Sequence, residues 1–365
     1  MTLPEAIRTV RWMIRDTFRQ SVASKLFWVM LAVTTVATGV GLSVRVSGDP
    51  KPVESYEVPA VLPEDQLIRI GLEQFVKQGA LPGMPTDFNQ LPPIVREKAL
   101  EVGRKKAEAD GVRMIAGHVS FGFGAVTVPL QRPRDDAVRF VQVWLAAAVA
   151  DTVGVLLTLL WTAGFLPTFL EPQAATVLLA KPAPRWSILL GKYLGVVLFV
   201  TLQAILFVSC TWAALGFTTG VWTGAYWLAV PLLAMNFAVF FAVSAFLAVW
   251  TRSTVASGFG TLLFWLLCWV MNYTHHRMIA VPVDGLTPMT LLFSEIGYWV
   301  LPKPLDMGGI FYLAMGGEAF STEVPELRAV RDAGRYQPEL SVLASLGFAI
   351  GVLGLASYEF EMTDY

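Results

Sequence analysis

Apolar residues in this chain gather into long, nearly unbroken runs, and the polar positions between them fall in short clusters rich in proline, glycine and charge. Such runs occupy residues 26–46, 140–166, 188–215, 227–250, 254–273 and 340–358. A helix of about 20 apolar residues, rising ~1.5 Å per residue, crosses the ~30 Å hydrocarbon layer of a bilayer. Each run therefore predicts one membrane-spanning helix. Residues 1–25 follow another pattern, with Ile7, Val10, Ile14 and Phe18 forming an apolar stripe beside a basic stripe of Arg8, Arg11, Arg15 and Arg19. That alternation predicts an interfacial helix lying on an anionic leaflet. Thr2 and Glu5 are spaced as a capping box, and Pro4 is tolerated in the first turn.

Two polar stretches interrupt the runs. Residues 47–139 open with a proline-spaced linker (Pro50, Pro52, Pro59, Pro63), which is stiff and extended. Helical patterns follow at 64–78 and 93–110, and residues 112–130 alternate Val119, Phe121 and Phe123 as a short hairpin would. The second stretch, 274–339, contains an apolar piece at 289–301 that is too short to cross and suits a re-entrant or interfacial helix. Pro302, Lys303, Pro304 and Asp306 argue against extending it into another span. The fold class expected is mainly α: a polytopic membrane protein with six transmembrane helices, an N-terminal interfacial helix and a small α+β extracytoplasmic insertion.

Composition agrees. The 365 residues are 55% hydrophobic and 15% charged, and a mean hydropathy of +0.57 is too apolar for a soluble protein of this size. The net charge of −1 leaves no nucleic-acid footprint. Cys210 and Cys268 both fall inside apolar runs, so neither suits a disulfide framework or a thiolate metal site. The first run is long enough to span and reads as an uncleaved membrane helix. Short cytoplasmic segments keep an excess of Lys and Arg, which puts the basic N-terminus and the segment 167–187 in the cytoplasm, and six spans return the tail 359–365 to the same side, with 47–139 and 274–339 outside.

Three polar residues fall deep inside the runs. Asp151, Gln203 and Asn236 each lie about ten residues from a span end, ~15 Å deep and close to the bilayer midplane. Charged or amide groups at that depth face a partner or a wet cavity. Either they are interhelical glue or they carry a substrate or gating role. Ala150, Gly154 and Thr158, and Gly347 and Gly351, are spaced for close helix packing. No catalytic constellation accompanies Asp151, since no second carboxylate or histidine sits at a mate position, so no enzyme activity is expected. His118 stands alone in the hairpin. His275, His276 and Arg277 are consecutive, and adjacent imidazoles point apart on a helix, which predicts an interfacial cluster over a metal site. No metal or cofactor is expected.

The segment between the second and third runs has the most specific signature. Pro172, Pro182 and Pro184 force it to bend, and Lys181, Arg185 and Lys192 mark its cytoplasmic side. Gly191-Lys192 is no Walker A loop, because Trp186 and Tyr193 occupy the positions of the required glycine and hydroxyl residue. Glu171, Thr176, Leu178-Leu179, Lys181-Pro182, Arg185 and Leu189-Leu190-Gly191-Lys192 resemble the cytoplasmic loop of ABC-2 type transporter permeases, whose pattern runs roughly E…GT…LL…(K/R)P…R…LLGK. Ala175 stands where that family usually has glycine. The resemblance implies the transmembrane subunit of a transporter, most simply an exporter in a bacterial-type inner membrane. It also implies dimerisation with a second copy or a related permease, and docking of a separate ATP-binding subunit. By the same resemblance the segment, with Glu171, Thr176, Lys181, Pro182, Arg185 and Lys192, is the coupling helix, and the helix over 1–25 is the connecting helix on the membrane lipids. A non-transporting scaffold or sensor, binding a partner through 47–139, is the alternative.

Overall fold

The computed structural model describes residues 3–48, 64–77, 92–109, 117–130, 134–169, 184–281, 287–317 and 325–362. The chain is mainly helical, with five helices long and apolar enough to cross a membrane: Arg134–Thr168, Arg185–Thr219, Gly224–Thr251, Thr254–Ala280 and Pro338–Met362. A sixth candidate is a bent pair. α1 (Leu3–Ala23) and α2 (Lys25–Ser43) meet at 67°, and Ser24 caps α2 by accepting a hydrogen bond from the Phe27 N–H.

α2 stops at Ser43, short of the expected end at Val46, because the next residues leave the helix for a sheet. β1 (Arg45–Gly48) pairs antiparallel with β2 (Gly117–Phe121), and β2 with β3 (Val126–Leu130), in the order β1-β2-β3. The hairpin read from 112–130 is thus present and gains a third strand, with Arg45 opposite Ser120 and Val119 opposite Val128. At its tip Gly122, Phe123 and Gly124 all have positive φ, and the Gly122 N–H donates to Ser43 Oγ at 3.2 Å, fastening the hairpin to the end of α2. α3 (Glu64–Lys77) and α4 (Pro93–Ala109) match the two helical patterns of the insertion. They cross at glycines: a Cβ on Gly71 would lie 1.8 Å from the Ala99 carbonyl oxygen, and one on Gly103 would lie 1.9 Å from that of Leu67.

The second run is not one regular helix. α5 (Arg134–Trp144) passes into a π-helical stretch, Leu145–Gly154, then into α6 (Val155–Thr162) and the short α7 (Phe165–Phe169). α8 (Arg185–Thr219) is continuous and ends on Gly220 in the left-handed region. A 3₁₀ turn, Gly224–Leu228, leads into α9 (Ala229–Thr251). The tight turn expected at 251–253 is there: Arg252 adopts φ 54° and Ser253 caps α10 (Thr254–Ala280). α9 is the centre of the bundle. Its Phe237, Phe240 and Phe241 are fully buried, Tyr193 of α8 stacks on Phe241 at 5.4 Å, and the Tyr193 hydroxyl donates to the Ala238 carbonyl.

The short apolar helix expected at 289–301 is α11 (Pro288–Val300), started by Thr287 with Pro288 in its first turn. Two further helices follow where the sequence was read as loop: α12 (Pro304–Ala314) and α13 (Pro325–Asp332). Pro304 does not end a helix here. It begins one, because the first turn needs no backbone donor and Asp306 favours the helix N-terminus. α14 (Pro338–Met362) completes the chain.

Candidate functional site

The polar residues singled out by depth divide into a pair and a single. Asn236 on α9 donates from Nδ2 to Asp151 Oδ1 at 2.6 Å, joining α9 to the π-helical stretch. Gln203 on α8 is separate. It is 8% exposed, and its Nε2 has no hydrogen-bond partner.

The π-helical stretch is the wall between two clefts. On one side lies a space of about 600 Å³ bounded by α2, α6 and α8, mostly apolar, with Gln203, Thr34 and Thr158 as its polar lining. Ala150 and Gly154, read as packing residues, line this cleft. On the other side a smaller space of about 310 Å³ takes Asp151, with Ala146, Ala147, Ala229, Met307 and Phe311 around it. Met307 and Phe311 belong to α12, so the helix absent from the sequence reading reaches the cleft of the intramembrane carboxylate. π-Helical turns are rare and concentrate at functional sites, since the wider turn leaves carbonyls out of register with their usual donors. No residue type in 145–154 announces one.

At the other set of predicted positions, Arg8, Arg11, Arg15 and Arg19 are all exposed along α1. The packed face of α1 is turned from the expected stripe: Ile7 is 61% exposed and Val10, Ile14 and Phe18 are half-buried, whereas Ala6, Met13, Thr17 and Ser21 are buried. Met13 and Thr17, with the backbone of Val10 and Ile14, sit against Gly191 and Gly195 of α8. A Cβ at 191 would lie 2.7 Å from Met13 Cβ, and one at 195 would lie 2.8 Å from Thr17 Cβ. Lys192 is buried too, with its ammonium donating to Gln20 Oε1 and 5.9 Å from the centre of the Phe165 ring. It ties α1 to α8 and offers no docking surface. Arg185 donates from Nη1 to the carbonyls of Phe360 and Glu361 at the end of α14. Glu171, Thr176, Lys181 and Pro182 lie outside the described residues.

A second polar centre was not foreseen. Asp306, fully buried at the start of α12, accepts from Asn272 Nδ2 at 3.0 Å on Oδ1 and from the Tyr298 and Ser341 hydroxyls on Oδ2. His276 Nε2 lies 2.9 Å from Oδ1. Asn272 completes the clasp by accepting the Leu305 N–H on its own oxygen. Burial pushes the Asp306 carboxyl up, but His276, Ser341 and Tyr298 outweigh it and hold the group below the usual carboxylate range. His275 stacks on Tyr298 with centroids 3.9 Å apart. The two histidines are therefore buried in a packed network. Lys303 is wholly buried, its ammonium 4.9 Å from the centre of the Tyr298 ring, and burial pushes its pKa down. Every acceptor on Asp306 is occupied, so this cluster clamps α10, α11, α12 and α14 together. His118, in β2, pairs in register with Pro129.

The five long apolar helices are compatible with a multi-pass membrane protein. The chain matches no family model, no curated protein and no solved structure.

Proposed function

We propose that this chain is the transmembrane permease subunit of an ABC-2 type transporter, moving a substrate, most simply outward, with energy from a separate ATP-binding subunit. In this reading α2 is the first of six spans, α1 lies on the cytoplasmic leaflet as the interfacial helix, and both termini face the cytoplasm of a bacterial-type inner membrane. The permease works as a pair, with a second copy or a related subunit. The sheet and the α3–α4 hairpin belong to the extracytoplasmic side.

One observation carries the reading: the bond from Arg185 to the end of α14. The proline-broken segment with the permease-like motif feeds directly into Arg185. Its exit is thereby held against the last span and, six to ten residues on, against α1 through Gly191, Lys192 and Gly195. A push on the segment would reach three helices as a rigid-body shift, as coupling to an ATPase requires.

The test is co-expression with candidate ATP-binding subunits, followed by pull-down and ATPase assay in lipid nanodiscs. Wild type is compared with Glu171→Lys plus Arg185→Glu. Capture that the reversals abolish is the expected result. Failure of every ATPase to bind the folded wild type would overturn the reading in favour of a scaffold or sensor.

A further inference from the structure

Asp151 is an acid without a cation. Asn236 is its one hydrogen-bond partner, and no Lys, Arg or His pairs with it among the described residues. Asn236 is 1% exposed, and its Oδ1 has no partner either. Apart from Asp151, the side chains that line its cleft are all apolar. An ionised carboxylate in such surroundings is destabilised by several kcal/mol until a positive partner arrives.

The space beside it fits an organic cation better than a metal ion. Asp151 is flanked by alanines at 146, 147 and 229, with Leu232, Met307 and Phe311 farther along the wall. No group of three or more His, Cys, Asp or Glu side chains able to hold a metal occurs among the described residues. A hard cation would need more oxygen ligands than one carboxylate and one amide supply. An ammonium group needs only acceptors for its three donors, and an alkyl chain attached to it would meet the apolar wall. Gly308 leaves the floor open: a Cβ there would meet nothing within 4 Å.

We propose that this cleft binds a primary alkylammonium ion, its headgroup on the Asp151 carboxylate that Asn236 holds in place and its chain along the alanine-lined wall. As a substrate class this rests on the permease reading; as a binding site it does not.

The test is native mass spectrometry of the detergent-purified full chain titrated at neutral pH with n-octylammonium, and separately with n-octanol as the neutral isostere. Wild type takes up one saturable octylammonium. Asp151→Asn weakens that binding at least about tenfold, or ~1.4 kcal/mol. Gly308→Leu, whose Cβ meets nothing within 4 Å and whose side chain occupies the open floor, abolishes it. Equal binding of octanol, or unchanged binding in either variant, would overturn the proposal. If Asp151→Asn fails to fold, Gly308→Leu and the octanol comparison still decide. No ATPase enters this measurement, so a failed titration sinks the cation site alone, and a failed pull-down sinks the permease reading alone.

Discussion

Arg185 Nη1 donates to the carbonyl oxygen of Glu361 at 3.3 Å, fastening the first turn of α8 to the last turn of α14. The two ends must lie at one face of any membrane the bundle occupies. α8, α9, α10 and α14 are four of the candidate spans, an even number of crossings. The α11–α13 segment between α10 and α14 then enters and leaves on the same side. A net crossing there would carry Glu361 to the opposite face.

Single cysteines placed at Arg252, Glu361 and Phe123, in a background with Cys210 and Cys268 replaced by alanine, report this arrangement. Arg252 ends α9 and Glu361 ends α14, whereas Phe123, 74% exposed, tips the hairpin at the far end. Membrane-impermeant maleimide on oriented vesicles should label the first two from one side and the third from the other. Labelling of positions 252 and 361 from opposite sides would refute the parity.

α1 depends on two glycines that are not its own. Gly191→Val or Gly195→Val drives a side chain into Met13 or Thr17 at distances real Cβ atoms do not tolerate. Overpacking of this kind costs ~1–3 kcal/mol. The expected signature is local: trypsin cleavage at Arg8, Arg11, Arg15 and Arg19 accelerates several-fold, while the melting temperature of the α9-centred core falls only slightly.

Lys192 and Arg185 share a motif in the sequence yet should behave differently. Lys192→Glu puts an acid at a position 1% exposed, where Gln20 and Phe165 are arranged for a cation. An uncompensated buried charge costs ~3–5 kcal/mol, and little folded protein should survive size exclusion. Arg185→Glu, at a half-buried position, loses the bonds to the α14 carbonyls, about 1 kcal/mol. It should fold, which is why the docking experiment uses position 185 and leaves 192 alone.

Long apolar runs made the helices legible, since each spans more residues than any soluble element would tolerate, and depth counting found the Asp151–Asn236 pair. Depth does not encode azimuth. Gln203 lies at the same level but faces the other cleft, and only the neighbouring helices decide that. The packed face of α1 was read only in part for a similar reason: periodicity favoured Ile7, Val10, Ile14 and Phe18, but glycines far along the chain bring Met13 and Thr17 in beside Val10 and Ile14 and leave Ile7 exposed. Asp306 was treated as a loop charge because its partners, Asn272, His276, Tyr298 and Ser341, come from three other helices. Each looks ordinary in its own segment.

That network makes the last prediction. Asp306→Leu leaves the Asn272, Tyr298 and Ser341 donors buried without their acceptor, and should cost ~3–5 kcal/mol. Asp306→Asn keeps the shape and loses the charge, so it isolates the titration. The folded carboxyl is held below the unfolded value of about 3.9. Its stabilisation is therefore complete above that value and is lost as pH falls through the lower folded one. The melting-temperature gap between wild type and Asp306→Asn should persist down to the unfolded carboxyl value and close only in stronger acid, as pH falls through the lower folded one. A gap that is already closed well above the unfolded value would mean that burial outweighs the donors and that Asp306 is protonated in the native fold.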